Sequence, residues 1–196
     1  MKIAKVEAFP IRIPRDLEAV TGLTGSPTVL GAGADYRWSQ AYPALYSIHF
    51  ETALVRVTLD NGLVGWGESQ APLAPQVAST IIEVLLAPML TGQEFDASLA
   101  GIEKLWHQMY STMRVRGQTG GFMLDAISGI DIALWDLAGK IQKQPVRSLL
   151  PGSSSDRTLP AYLSGLPGAT PQERVEHAKP FIVRGFRLIK LYFDRS

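Results

Sequence analysis

The longest helical pattern in this sequence runs from Phe122 to Ile141 and is apolar around almost its whole circumference. One stripe carries Ala126, Ile130, Ala133, Leu134, Leu137 and Ile141, and the remaining surface carries Ile127, Ile132 and Trp135. A helix that is hydrophobic on all sides is stable in water only when other elements cover it. The rest of the chain must therefore form a scaffold that buries this helix.

The charged residues of the same helix are few. Asp136 and Lys140 stand four residues apart, a spacing that predicts an ion pair on one face. Asp131 lies between Ile127 and Trp135, and we interpret it as a hydrogen-bonded structural carboxylate. A single carboxylate does not provide the pair of groups that acid–base chemistry needs.

Two segments ahead of the helix predict an antiparallel sheet. Residues Lys2–Ile13 alternate well enough for a strand, and Glu51–Ser69 is typical of a hairpin because residues 60–62 (Asp-Asn-Gly) separate two alternating β-branched runs. Helical spacing follows over Gln76–Leu90 and over Leu99–Tyr110. An antiparallel sheet followed by helices is an α+β unit.

The end of the chain predicts a strand, a helix and a second strand. Strand patterns cover Thr158–Ser164 and Phe186–Phe193, and between them Thr170–Glu173 is typical of a capped helix start that Gly185 ends. Short connections predict that the two strands are parallel neighbours with a right-handed crossover. Turn-forming residues at Leu150–Asp156 mark the boundary with the α+β unit.

Composition excludes several functions. The 196 residues carry a net charge of +1 and no cysteine. Without a basic run, nucleic acid and anionic membrane surfaces are not expected partners. The absence of cysteine excludes disulfides, thiolate zinc sites and thiol nucleophiles. We find neither a signal peptide nor the roughly 18 apolar residues that a membrane span needs, and expect a cytoplasmic protein.

The final strand carries the strongest candidates for chemistry. Period two places Lys190 and Tyr192 on one face, opposite a wholly apolar face. In a parallel barrel the Lys–Tyr face would point to the interior, near the strand ends where barrel enzymes keep their catalytic groups. An ordinary solvent-facing pair on an edge strand fits the same spacing equally well.

A glycine-rich segment from Asp16 to Ser47 is predicted to be a loop. It carries Tyr36, Arg37 and Trp38, and His49 follows it closely. So many aromatic residues are unusual in a flexible linker. We therefore expect an ordered loop that packs against, or closes on, another group.

Four segments resemble a known family. Residues Ala126–Leu150 (AISGIDIALWDLAGKIQKQPVRSLL) closely resemble the signature of the mandelate racemase/muconate lactonizing enzyme branch of the enolase superfamily. The hairpin ETALVRVTLDNGLVGWGES resembles the N-terminal domain of that family, and LPAYLSG and RLIKLYF resemble its first two barrel strands. One departure is Pro151, which stands where the family usually has glycine.

The resemblance implies an N-terminal capping domain over residues 1–140, and a linker with the first β-α-β of a (β/α) barrel, incomplete in this chain, over residues 141–196. Family members bind Mg²⁺ through three acidic residues on later barrel strands. The metal ligands are therefore expected beyond Ser196, and no metal ligand is assigned within the chain. The shared step is abstraction of the proton α to a carboxylate, which gives a metal-stabilised enediolate.

The resemblance also suggests roles for the candidate residues. Lys190 aligns with the first lysine of the family's KxK motif, close to the substrate carboxylate, and Tyr192 replaces the second lysine, normally the base. Tyr192 could act as base or as acid. The loop would contact the distal end of the substrate through Arg37, Trp38, Tyr36 and His49. For Trp38 and Tyr36, packing against other residues of the protein is an equally good role.

A KxY arrangement looks more like some acid-sugar dehydratases of the superfamily. We therefore expect an intact enzyme that eliminates water from an aldonate or aldarate, with Mg²⁺ as cofactor, a small-molecule carboxylate as substrate and a homo-oligomeric assembly. A racemase, epimerase or cycloisomerase of the same family is the alternative. From another class, the 196-residue chain could be a non-catalytic fragment or assembly module, and alone it is expected to be inactive.

Overall fold

The computed structural model of the protein describes residues 1–14, 28–29, 35–39, 44–152, 158–168 and 170–191. The chain forms two compact units, the first from Met1–Ile13 with Phe50–Ser155 and the second from Pro14–His49 with Asp156–Ser196. The strands are β1 (Ile3–Pro14), β2 (Thr28–Val29), β3 (Tyr36–Ser39), β4 (Ala44–Ser47), β5 (His49–Leu59), β6 (Val64–Ser69), β7 (Tyr162–Ser164) and β8 (Leu188–Lys190). The helices are α1 (Pro75–Ile81), α2 (Ala87–Leu90), α3 (Leu99–Arg114), α4 (Phe122–Gln142), α5 (Val146–Leu149) and α6 (Pro171–Val183), with a π-helical turn at Ile82–Leu86.

The first unit is built on a three-stranded sheet with the order β1-β5-β6. Strands β5 and β6 pair antiparallel, and the Gly62 amide closes their turn by donating to the Leu59 carbonyl over 2.9 Å. Gly62 has a φ of 83°, a conformation that favours glycine. The hairpin predicted from residues 60–62 and the strand predicted over Lys2–Ile13 are both confirmed.

The helices cover the inward face of this sheet, whose β5 residues Val55, Val57 and Leu59 are at most 1% exposed. The helix predicted over Gln76–Leu90 is present, interrupted by the π turn, and the one predicted from Leu99 continues to Arg114. Helix α4 is buried along its predicted stripe except at Ile141, which is half-buried. The expectation that other elements cover the helix on all sides is wrong at Ile132, which is 47% exposed because it points away from the sheet-facing stripe. Among the helices in the described ranges, none is long and apolar enough to cross a membrane.

Helix α4 approaches β6 more closely than side chains would allow. A Cβ atom at Gly65 would overlap the Ala133 carbonyl oxygen, and one at Gly67 would lie 2.7 Å from the Ala133 backbone nitrogen. On the helix, a Cβ at Gly129 would lie 2.6 Å from Val55 Cγ2. Glycines on both elements therefore set the spacing between the sheet and the helix.

Polar side chains of α4 complete the same contact. Asp136 Oδ2 accepts hydrogen bonds from the Trp66 backbone amide over 2.8 Å and from Lys140 Nζ over 2.7 Å. Lys140 Nζ also donates to the Val64 carbonyl over 2.8 Å. Strand β6 lies at the edge of its sheet, where unpaired backbone groups invite pairing with other chains. The predicted ion pair is confirmed, and it also binds these edge groups.

The second unit contains two parallel strands, β7 and β8, connected through α6. The parallel pairing predicted from the sequence is confirmed, with Ser164 opposite Lys190. The predicted helix start is also confirmed, because Thr170 and Glu173 form a reciprocal capping box. Strand β7 begins later than predicted, after Pro160, which has no N–H group to donate to a sheet.

The strand pair in the described part of the chain does not close into a barrel. Leu188 is 50% exposed and Leu191 is 49% exposed. The interior environment that a complete barrel would give Lys190 is therefore not formed by these two strands.

The prediction of a loop over Asp16–Ser47 is wrong in part. Strands β2, β3 and β4 form a small antiparallel sheet, and β3 pairs with β4 from Tyr36 opposite Ser47 to Ser39 opposite Ala44. Side chains that face each other across strands stabilise such short pairings. Because that contribution depends on which residues face each other across the sheet, the glycine-rich composition of the segment did not predict these strands.

We predict that Gly67→Ala destabilises the first unit by about 2 kcal/mol or more, because the added methyl group must push the α4 backbone away. Gly120→Ala is the matched control, since its Cβ would meet nothing within 4 Å. Urea unfolding of both variants measures the effect. Equal midpoints for the two variants would contradict the proposed role of the glycines.

Candidate functional site

The predicted catalytic lysine lies at the end of the second parallel strand. Lys190 is the last residue of β8, and it is exposed. The C-terminal ends of parallel strands are where barrel enzymes place their reactive groups. Its predicted partner, Tyr192, lies outside the described residues.

The predicted substrate-binding residues of the aromatic segment lie on strand β3. Trp38 is 39% exposed, while Tyr36 and Arg37 are half-buried. Because successive strand residues point to opposite faces, Tyr36 and Trp38 share one face of this small sheet and Arg37 lies on the other with Tyr46 of β4. Strand β3 therefore does not present all three side chains to one surface.

His49 is the first residue of β5. Its backbone amide donates to Ser47 Oγ over 3.0 Å, which fixes the step from β4 into β5. The side-chain Nδ1 atom is buried, and no residue in the described ranges forms a hydrogen bond with it. A buried polar atom of this kind normally has a hydrogen-bond partner.

The structure places Tyr36, Arg37, Trp38, His49 and Lys190 in one compact unit, although Trp38 and Lys190 are about 150 residues apart in the sequence. The aromatic sheet and the β7-α6-β8 segment thus belong to the same folded body. Sequence patterns alone assigned them to different regions of the chain.

Sequence reasoning missed one buried charged residue. Glu51 stands on the inward face of β5, and its side chain is 0% exposed. Its Oε1 atom lies 3.2 Å from Arg12 Nε, and its Oε2 atom accepts a hydrogen bond from the Ala74 amide over 2.9 Å. The signal was present, since Glu51 has the same parity as Ala53 and the other apolar residues of β5.

Two carboxyl groups of α4 are affected by burial. Burial raises the pKa of Asp131, and a hydrogen bond with the Trp135 side chain partly opposes this rise. Burial also raises the pKa of Asp125. The bond to Trp135 agrees with the structural role predicted for Asp131.

A magnesium site needs several oxygen ligands around one point. In the ranges that the structure covers, no three acidic or histidine side chains come together in a way that could hold a metal ion. The carboxylates of Glu51 and Asp136 are instead engaged by Arg12 and Lys140. These residues do not fit a catalytic Mg²⁺.

A family profile decides the identity of this fold. The profile described as mandelate racemase / muconate lactonizing enzyme, N-terminal domain, matches residues 37–151. The chain belongs to the mandelate racemase / muconate lactonizing enzyme family. The resemblance inferred from the signature helix is thereby confirmed, and the sheet-then-helices unit is the N-terminal domain of this family.

Curated relatives of this family member are enzymes that act on sugar acids or their lactones. A D-galactonate dehydratase family member of Paenibacillus sp. is 37% identical over 139 residues, which cover 70% of this chain and 32% of the relative. The D-galactarolactone cycloisomerase of Agrobacterium fabrum is 38% identical over 112 residues, which cover 57% of this chain and 27% of the relative. The chain thus spans about a third of the length of these relatives.

Solved structures agree with this assignment. A member of the enolase superfamily from Agrobacterium tumefaciens superposes with a TM-score of 0.83 at 38% identity, covering 96% of this chain and 46% of the other. A racemase from Streptomyces coelicolor A3(2) with bound magnesium superposes with a TM-score of 0.69 at 28% identity, covering 95% of this chain and 45% of the racemase. The fold of this family member is therefore shared by enzymes named for different reactions.

We predict that Asp131→Asn stabilises the protein more at about pH 7 than at about pH 3. Burial raises the pKa of the folded Asp131 carboxyl, so the stability that its protonated form contributes is present below the unfolded pKa. This contribution is lost as the pH rises through the folded pKa, whereas asparagine has no proton to lose. Urea unfolding at both pH values tests it, with Asp60→Asn in the exposed turn as control. A pH-independent difference would contradict the prediction.

Proposed function

We propose that this chain forms the N-terminal part of an acid-sugar dehydratase. In this proposal residues 1–140 are the capping domain, and residues 141–196 are the linker and the first elements of a barrel. The main support is the placement of Lys190, at the end of a parallel strand, in the same compact unit as the aromatic sheet and His49. The similarity to a D-galactonate dehydratase family member adds to it.

The proposed reaction removes the proton α to a carboxylate and expels hydroxide from the β-carbon. Lys190 would hold the substrate carboxylate, where its ammonium group opposes the negative charge that builds up as the α-proton leaves. Tyr192 would act in one of two ways. As a phenolate it would take the α-proton. As a neutral phenol it would donate its proton to the leaving hydroxide, and a base on a later barrel strand would take the α-proton.

The aromatic segment would recognise the rest of the substrate. One face of β3 would contact the substrate. On one face Arg37 is suited to a hydroxyl group or a second carboxylate, and on the opposite face Trp38 and Tyr36 are suited to the apolar faces of a sugar chain. His49 would contribute its imidazole as a hydrogen-bonding group. The substrate would thus be a small polyhydroxy carboxylate held at both ends.

Magnesium, when bound, would stabilise the enediolate. The described residues do not fit this ion, so we propose that its ligands come from sequence beyond Ser196, and we assign no step of this chain to it. The 196-residue chain alone would then be inactive. Mass spectrometry of the natural protein under denaturing conditions, which separate subunits, distinguishes the cases. A mass near 21.4 kDa would support a non-catalytic fragment, while a mass about twice as large would support the enzyme.

A cycloisomerase is the second candidate, favoured by the 38% identity to the D-galactarolactone cycloisomerase. The two reactions differ in their substrates and products. Dehydration converts an aldonate or aldarate into a 2-keto-3-deoxy acid with loss of water, whereas cycloisomerisation rearranges a lactone without such loss. One panel of substrates therefore separates them.

We predict that the full-length protein, with Mg²⁺, converts at least one aldonate or aldarate into a 2-keto-3-deoxy acid, and that Lys190→Met reduces kcat/KM by about a hundredfold or more. Tyr192→Phe in deuterium oxide reveals the role of the phenol. If Tyr192 is the acid, the variant still exchanges the α-proton but releases no water. If Tyr192 is the base, both processes stop. Racemisation or lactone rearrangement without any keto acid would contradict the dehydratase proposal.

A further inference from the structure

An ion pair with a buried carboxylate lies where strand β5 begins. The Glu51 side chain is 0% exposed, and it contacts Arg12 Nε at 3.2 Å. A buried charge is tolerated only when it is paired and hydrogen-bonded. Both conditions hold for Glu51, because its second oxygen accepts from the Ala74 amide over 2.9 Å. We call Arg12 and Glu51 the stem pair.

The stem pair joins the two points where the chain leaves and re-enters the first unit. The chain leaves this unit after Ile13 and returns at Phe50. We call residues 12–13 and 50–51 the two stems of the 14–49 segment, and each stem contains one member of the pair. The Ala74 amide adds a third anchor from the connection between β6 and α1. Ala74 itself has a φ of 50°, a left-handed conformation that costs a residue with a Cβ free energy, and the Glu51 bond helps to hold it.

We propose that Glu51 is a positioning residue, which fixes the start of β5 and thereby the position of His49. His49 stands two residues before Glu51 on the same side of β5, so any shift of Glu51 moves His49 directly. The stem pair touches no reacting atom and acts through His49. This inference rests on the proposed function, because there His49 contacts the substrate.

A second ion pair between the same strands provides the control. Arg56 Nη2 of β5 lies 2.7 Å from Glu7 Oε2 of β1, a shorter contact than that of the stem pair. Glu7 is 19% exposed, and its pair lies in the middle of the sheet, away from the stems. If ion pairs between β1 and β5 only hold the sheet together, Glu7→Gln and Glu51→Gln should have similar effects.

Hydrogen exchange followed by mass spectrometry on the full-length protein tests the positioning role without relying on any reaction. In Glu51→Gln we expect amides over residues 44–50 to exchange about ten times faster, because opening of this region becomes easier. Amides of α3 and α4 should be unchanged, and Glu7→Gln should match the wild type over residues 44–50. Equal effects of the two variants, or faster exchange throughout the first unit, would overturn the proposal.

Kinetics on a substrate identified by the dehydratase assay provide the second test. We expect Glu51→Gln to raise KM about tenfold with kcat within about twofold, because loosened binding residues affect substrate and transition state alike. A fall in kcat with unchanged KM would overturn the positioning role. If no substrate is turned over, the proposed function fails, and the hydrogen-exchange result alone decides the role of the stem pair.

Variants of Arg12 keep the test decisive if Glu51→Gln does not fold. The Arg12 side chain is 35% exposed, so its replacement disturbs the core less than a change at Glu51. Arg12→Gln should reproduce the faster exchange over residues 44–50, and Arg12→Lys, which keeps the charge, should restore slow exchange. Equal exchange in the Gln and Lys variants would overturn the proposal.

Discussion

The close approach of helix α4 to strand β6 is the contact on which the first unit depends. Gly65 and Gly67 leave room for the Ala133 backbone, and Gly129 leaves room for the sheet. This spacing lets Asp136 and Lys140 reach the backbone of the edge strand. A long apolar helix needs a covering surface, and an edge strand needs partners for its exposed backbone, so one contact satisfies both requirements.

The two units differ in the residues that they contain. The first is a helix-covered sheet whose charged side chains, such as Glu51 and Asp136, are engaged in ion pairs and backbone contacts. The second holds the described candidate site residues, of which Trp38 and Lys190 are exposed and Tyr36, Arg37 and His49 are half-buried.

Much of the fold could be predicted because periodicity and turn chemistry are local. The Asp-Asn-Gly turn, the α4 stripe and the Thr170 capping box depend only on neighbouring residues, and all three are confirmed. The pairing of β3 with β4 was missed, because a four-residue strand is decided by what faces it across the sheet. The candidate site could be predicted only in part for the same reason, since no local sequence pattern links Trp38 to Lys190.

The sequence by itself determined the family and the α+β order of elements, because these depend on the identity and spacing of residues along the chain. Only the tertiary structure decided that Glu51 is paired with Arg12 at the stems of the 14–49 segment, and that Arg37 lies on the other face of β3 from Trp38. Ion pairing and burial depend on residues that are distant in sequence, and folding alone brings them together.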